Sequence, residues 1–224
     1  MSLKGVMVSS DSMLWRSPPE ILDPVREVAG PDGIGLDPCA GIASPVEAHI
    51  EYSLELGFDG LALPWTWQGF FYVNSPFGPH LKPWAQKVVH EASHGAEGIT
   101  LTPSRTGSEW CQLLLRKTDA HCFLKKRLKF LGAKDPAPFD CMVSYVGPRT
   151  TVFQRVFAPL GITEVHARRR RFGTWHYELR LEMGDGKQRW QRSEALSYTK
   201  ARDEMERWRA RGHEVRLMEA QNGI

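Results

Sequence analysis

From Ile34 to Val146 short apolar runs alternate with amphipathic stretches of roughly ten residues, a rhythm that suits strands joined by helices. The runs are Ile34-Gly35-Leu36, Gly69 to Val73, Gly98 to Thr102, Ala120 to Leu124 and Phe139 to Val146. Gly69 to Val73 is apolar throughout, as a strand covered on both faces should be. Between these runs Pro45 to Tyr52, Pro83 to Ala92 and Ser108 to Lys117 read as helices. Ahead of them Ile21, Leu22, Val25, Val28 and Ala29 share one helical face, and Asp23-Pro24 offers an N-cap with a first-turn proline. Strands separated by helices predict an α/β domain: a mostly parallel sheet with helices on both faces. Ligands of such sheets bind beyond the carboxyl ends of the strands, so the polar residues that end each apolar run are where chemistry is expected.

With 42% hydrophobic and 25% charged residues among 224, the chain can bury a substantial core. No apolar run approaches the roughly 20 residues that span a bilayer, and Met1 to Val8 lacks a signal peptide's long apolar stretch. A cytoplasmic location without membrane contact is expected. The four cysteines, Cys39, Cys111, Cys122 and Cys141, are widely spaced with no C-x-x-C pair, and read as reduced and mostly buried. His90 and His94 stand one helical turn apart, with only Glu91 and Glu97 as acidic neighbours, so no metal is expected. Trp65, Trp67 and Trp84 read as core or pocket wall.

Charge is unevenly placed. Val165 to Ile224 carries 14 Lys and Arg against 9 Asp and Glu, whereas the chain before it carries 15 against 17. The basic part opens with Arg168, Arg169, Arg170 and Arg171 and includes Trp175, Trp190 and Trp208, a composition suited to a nucleic-acid-facing module. Its pattern is β-β-α-β: Trp175 to Met183, a Gly184-Asp185-Gly186 turn, Lys187 to Arg192, a helix from about Thr199 to Arg211 and a strand from His213 to Met218. Two parts are therefore expected, residues 1–164 and a basic module over 165–224. The module is expected to hold or read DNA, with Arg168 to Arg171, Trp190 and Arg192 as contacts; it could instead mediate subunit contacts. In the first part Arg105, Lys126, Arg127 and Lys129 follow strand ends and are candidates for phosphate contacts.

Neither G-x-G-x-x-G nor G-x-x-x-x-G-K-[ST] occurs, which removes the main support for dinucleotide and P-loop sites. Two other strand-end motifs carry chemistry. Asn74-Ser75-Pro76-Phe77 closes the most apolar run. An amino group conjugated to an aromatic ring is a poor nucleophile, because its lone pair is delocalised. An enzyme that alkylates it must place acceptors around its hydrogens and favour the positive charge that develops on nitrogen. The side-chain oxygen of Asn74 and the backbone carbonyl of Ser75 can be those acceptors, Pro76 stiffens the corner, and Phe77 offers a face for stacking a base. Leu36-Asp37-Pro38-Cys39-Ala40-Gly41 is the second motif, a turn of small residues whose acidic side chain can bind an ammonium group.

Taken in order, these residues resemble the phage-type, Dam-like DNA N6-adenine methyltransferases. The likeness runs from Trp15 to about Gly161 and includes Trp15-Arg16-Ser17-Pro18-Pro19-Glu20, Leu36 to Ala40, and Asp59-Gly60-Leu61 with Pro64-Trp65. It continues through Tyr72 to Gly78, Leu101 to Thr106 with Trp110, and Phe123 to Phe130. The resemblance implies a Rossmann-like class I methyltransferase sheet and S-adenosylmethionine as the methyl donor. It implies donor contacts from Trp15, Ser17, Pro18, Asp37, Pro38, Cys39, Ala40, Asp59, Gly60 and Leu61, and target-amine contacts from Asn74, Ser75, Pro76 and Phe77. Among Glu47, Glu51 and Glu55, Glu51 is the choice for the donor's ribose. Ser75 and Phe77 stand where the family usually has proline and tyrosine, which forgoes φ locking at position 75 but no catalytic atom. The expected reaction is direct in-line transfer to the N6 amino group of a flipped adenine. Cytosine N4 presents the same geometric problem and is the nearest rival target. An inactive relative that binds DNA, or an enzyme acting on RNA, would also be compatible with these residues.

Overall fold

The first helix starts earlier than its sequence signals indicate. In the computed structural model, which describes residues 15–41, 43–66, 68–166, 175–182, 188–192, 205–212 and 214–219, α1 spans Pro19–Ala29. Pro18 is its N-cap, Pro24 lies inside it, and Asp23 pairs with Arg26 at 3.1 Å instead of capping. A proline in a helix interior forgoes a hydrogen bond and costs about 3 kcal/mol. The buried stripe of Ile21, Leu22, Val25, Val28 and Ala29 offsets that loss, because burying each large aliphatic side chain contributes about 1.5–3 kcal/mol.

After α1 come β1 (Leu36–Asp37), β2 (Ile50–Glu51), a single 3-10 turn at Leu54–Leu56, and β3 (Phe71–Val73). They are followed by α2 (Leu81–Ser93), β4 (Gly98–Pro103), α3 (Glu109–Lys117), β5 (Ala120–Leu124) and β6 (Cys141–Val146). The first sheet ends with α4 (Thr150–Phe157) and β7 (Gly161–Val165), and has seven strands in the order β2-β1-β3-β4-β6-β5-β7, flanked by helices. The domain is α/β, as expected. The sheet is mixed rather than mostly parallel: β1 pairs parallel with β2 and β3, and β3 with β4, but β6 pairs antiparallel with β4 and β5, and β7 antiparallel with β5. No helix intervenes between β5 and β6, and a strand that returns without a crossover pairs antiparallel.

Pro45 to Tyr52 is not a helix. His49, Ile50 and Tyr52 donate their backbone N–H groups to Ile34, Gly35 and Asp37, which makes this segment the outer neighbour of β1. A two-residue β1 left unpaired on that side would expose its backbone groups, and pairing outweighs the weak helical pattern. The sequence pattern marks neither α4 nor β7. α4 buries Phe153, Val156 and Phe157, with Phe153 stacked on Phe157 at 4.6 Å and on Tyr145 at 5.4 Å. β7 is an edge strand whose Ile162 is exposed, so it lacks the continuous burial that marks the inner strands.

Trp65 and Trp84 are buried and stacked on each other at 6.1 Å; residue 67 lies outside the described residues. Cys111, Cys122 and Cys141 are buried and Cys39 half-buried, all as free thiols. A second compact unit holds a three-stranded antiparallel sheet, β10-β8-β9, formed by β8 (Trp175–Glu182), β9 (Gln188–Arg192) and β10 (Val215–Glu219). Residues 205–209 between β9 and β10 are helical. The Gly184-Asp185-Gly186 turn lies outside the described residues. Among the described residues no helix is long and apolar enough to cross a membrane.

Candidate active site

Strand direction gathers the motifs. β1 to β4 run parallel, and β5 runs the same way because both it and β4 are antiparallel to β6. The residues that follow β1, β3, β4 and β5 therefore emerge at one edge of the sheet. The chain passes from β1 to β2 on one side and then to β3 on the other, so the loops after β1 and β3 diverge and leave a crevice between them. A cleft lies there with about 550 Å³ of empty space, part of it open to solvent. Its walls are Trp15, Arg16 and Ser17, then Asp37, Cys39, Gly41, Ser44, Pro45 and Val46, and Asn74 with Pro76.

Asp37 ends β1 and is 4% exposed. One carboxylate oxygen accepts from the Cys39 N–H at 3.0 Å and the other from the Ser44 hydroxyl at 2.8 Å. Burial pushes its pKa up to about 6; the two hydrogen bonds oppose that rise, and the charge of Glu51 adds to it. Glu51 is exposed at the end of β2, directly beside Asp37 in the sheet register. The thiol of Cys39 is pushed up to about 12, first by burial and then by the charges of Asp37 and Asp59. Cys39 is therefore a neutral wall of the cleft rather than a nucleophile.

The turn bearing Asp59, Gly60 and Leu61 packs on the loop after β1, although none of the three lines the cleft. A Cβ at Gly60 would stand 1.8 Å from the Pro38 carbonyl oxygen, so only glycine allows this approach. Asp59 accepts from the Leu61 N–H at 2.9 Å, and Trp65 Nε1 donates to the Gly60 carbonyl at 2.8 Å. Pro18 and Ala40 are buried beside their cleft-lining neighbours.

Asn74 follows β3. Its Nδ2 donates to the Trp15 carbonyl and, at 3.0 Å, to Ser17 Oγ. A carbonyl only accepts, so the amide nitrogen must face Trp15 and the orientation of the amide is fixed by chemistry. The Asn74 Oδ1 atom is buried with no protein partner. An unsatisfied buried acceptor costs about 1–3 kcal/mol, and in a native protein it calls for an explanation such as a ligand. Ser75 is buried with its own hydroxyl unpartnered and does not line the cleft. Phe77 is 6% exposed, with its ring edge-on to Phe130 at 6.0 Å and Phe139 at 5.4 Å. Trp15 joins the same cluster, its ring 5.1 Å from Phe130 and 5.6 Å from Phe139, and this half-buried residue is the member of the cluster that lines the cleft.

Arg105 follows β4, and Lys126, Arg127 and Lys129 follow β5, all exposed at the edge that carries the cleft. Arg127 lies 3.6 Å from Asp140. Leu128, between Arg127 and Lys129, and Phe130, after Lys129, are buried, so the alternation turns the charges outward. Arg168 to Arg171 lie outside the described residues, and Trp190 and Arg192 fall on β9 with only their backbone described.

No family model matches this chain, and neither a curated protein nor a solved structure matches it. The site's geometry therefore stands alone. It includes two side chains to which the sequence assigns no role in the site. Ser44 holds Asp37, and Tyr72, entirely buried, meets Ser17 Oγ with its hydroxyl at 2.7 Å. The period of a strand puts Tyr72 on the same face as Asn74, which is the signal that points to it.

Proposed function

We propose that this chain is an S-adenosylmethionine-dependent methyltransferase that modifies the N6 amino group of adenine in DNA. The observation that carries this reading is the Asn74 oxygen: buried, without a partner, and belonging to a side chain that shares a cleft with the Asp37 carboxylate. An amine-directed acceptor and an ammonium-directed acid at the carboxyl ends of adjacent strands are what a two-substrate transfer to an aromatic amine requires.

The residues present fit the donor. Asp37 offers a buried carboxylate for its ammonium group, Gly60 lets the Asp59 turn close against Pro38, and Glu51 stands beside Asp37 as an exposed acid for ribose hydroxyls. When bound, S-adenosylmethionine supplies an electrophilic methyl group on a sulfonium. The chain's own contribution is positioning and electrostatics. Asn74 Oδ1 accepts one N–H of the target amine, which directs the nitrogen lone pair away from the ring and favours the positive charge that grows there. Pro76 lines the cleft beside Asn74 and fixes the corner, whereas Ser75 is not among the cleft walls. The aromatic cluster of Trp15, Phe77, Phe130 and Phe139 forms an apolar wall beside the amine site, with Trp15 as its face on the cleft.

DNA as the substrate is supported by Arg105, Lys126, Arg127 and Lys129, exposed at the cleft edge of the sheet. If these side chains meet phosphates, Lys126→Ala and Lys129→Ala should each weaken duplex binding equally for all sequences. Each should also reduce the slope of log affinity against log salt by about one. Unchanged slopes in fluorescence anisotropy titrations would remove both lysines from the interface.

The reading itself is tested by incubating the 224-residue chain with unmethylated duplex DNA and methyl-labelled donor, then identifying the labelled nucleoside by mass. N6-methyldeoxyadenosine is expected. N4-methyldeoxycytidine would correct the target, and DNA without label would overturn the assignment.

A further inference from the structure

We infer that Ser17 and Tyr72, together with the Trp15 backbone carbonyl, are positioning residues that hold the Asn74 amide in the orientation that leaves Oδ1 free for a ligand. The inference rests on the reading of Asn74 as acceptor for a substrate amine, and it moves Ser17 from the donor side of the site to the amine side.

A primary amide has nearly the same shape after a half-turn about its last bond, yet the half-turn exchanges an acceptor for a donor. Turned the wrong way, Asn74 would present N–H groups to a substrate that also presents N–H groups, and no hydrogen bond could form. The right orientation must therefore be held in the free protein. Trp15 and Ser17 take both protons of Nδ2, one through a carbonyl that cannot donate and one through Ser17 Oγ at 3.0 Å. Tyr72, fully buried, fixes the Ser17 hydroxyl from the other side at 2.7 Å, and burial raises the pKa of the Tyr72 phenol, which keeps it neutral. The Trp15 carbonyl is itself anchored. Its ring packs on Phe130 and Phe139, and the carbonyl of the next residue, Arg16, accepts from the Leu131 N–H at 2.9 Å. Ser17 Oγ is engaged from both sides, by the Asn74 amide at 3.0 Å and the Tyr72 hydroxyl at 2.7 Å, which suits a side chain that acts through Asn74.

The test uses Ser17→Ala, Ser17→Thr and the double variant Ser17→Ala/Tyr72→Phe in the 224-residue chain. The double variant leaves no Tyr72 hydroxyl stranded in the core, so it reports on Asn74 even where the single alanine variant folds poorly. Asn74 and Asn222 are the only asparagines, so nitrogen-15 labelling of asparagine gives two side-chain amides to follow by NMR. Exchange of the Asn74 amide protons with solvent should be slow in the wild type and in Ser17→Thr, and faster by about tenfold or more in both alanine variants. At saturating donor, Ser17→Ala should lower kcat by about 10- to 100-fold, and Ser17→Thr should restore most of it. The affinity for S-adenosylhomocysteine should stay within about twofold in all three. Equal Asn74 exchange in wild type and Ser17→Ala would overturn the inference. So would a Ser17→Ala variant whose kcat is intact but whose affinity for S-adenosylhomocysteine is lost, which would make Ser17 a donor contact. Wild-type protein that shows the exchange pattern but transfers no methyl group would refute the proposed function and leave the amide clamp standing.

Discussion

Asn74→Ala should reduce methyl transfer by about 10²- to 10³-fold, the usual loss when one preorganised polar group aimed at developing charge is removed. Donor affinity should stay within about twofold, because Asp37 and the Asp59 turn are left in place. The fold should weaken slightly: the Trp15 carbonyl and Ser17 Oγ lose their shared donor, at about 1–3 kcal/mol. The unsatisfied Oδ1 is removed as well, which offsets part of that cost. Transfer rates at saturating donor and calorimetric titration with S-adenosylhomocysteine separate the two effects. A variant that keeps the wild-type rate would remove Asn74 from the chemistry.

Asp37→Asn should have opposite effects on stability and on binding. The native carboxyl, held at about 6 by burial, lies above its ordinary value of 3.8, so the folded protein binds a proton more tightly than the unfolded chain. Its contribution to stability is complete below about pH 3.8 and is lost as pH rises through about 6, a change of about 2–3 kcal/mol. The free protein should therefore be more stable at pH 5 than its other groups alone would make it, and should lose that increment by pH 8. Asparagine avoids the cost of a buried charge, accepts from Cys39 and donates to Ser44, so Asp37→Asn should raise the unfolding free energy at pH 8 by about 1–3 kcal/mol. The same change removes the charge that meets the donor's ammonium, and affinity should fall by about tenfold or more. In the wild type, donor affinity should rise with pH through about 6 and then level off, since binding needs the ionised carboxylate. Urea melts at pH 5 and 8, with donor titrations at both, check each part. Donor binding in Asp37→Asn equal to wild type would exclude Asp37 from the site.

Asp37 and Asn74 are legible in the sequence because each ends an apolar run, and strand ends are where an α/β sheet assembles a site. The association of Asp59-Gly60 with the loop after β1 is not visible in spacing, because it depends on a backbone approach that only the folded chain displays. The failure at Pro45 to Tyr52 has a tertiary cause: its residues complete the ladder of β1, and local propensity does not register an unpaired neighbour. α4 and β7 escape notice because one is a short helix containing β-branched residues and the other an exposed edge. Phe77 shows the limit of reading a motif residue by residue. As an aromatic after a strand end it looks available for stacking, yet Phe130 and Phe139, distant in sequence, enclose it and leave Trp15 at the cleft. Tyr72 looks like an ordinary core residue until its hydroxyl is traced through Ser17 to Asn74.

A crystal structure of the chain with S-adenosylhomocysteine would show directly whether the cleft between β1 and β3 is a methyl-transfer site. The amine of the ligand should meet Asp37 and its sulfur should face Asn74, with space for a nucleobase between sulfur and Oδ1. A ligand bound away from Asp37 and Asn74, or a sulfur with no room for a base in front of it, would contradict the assignment.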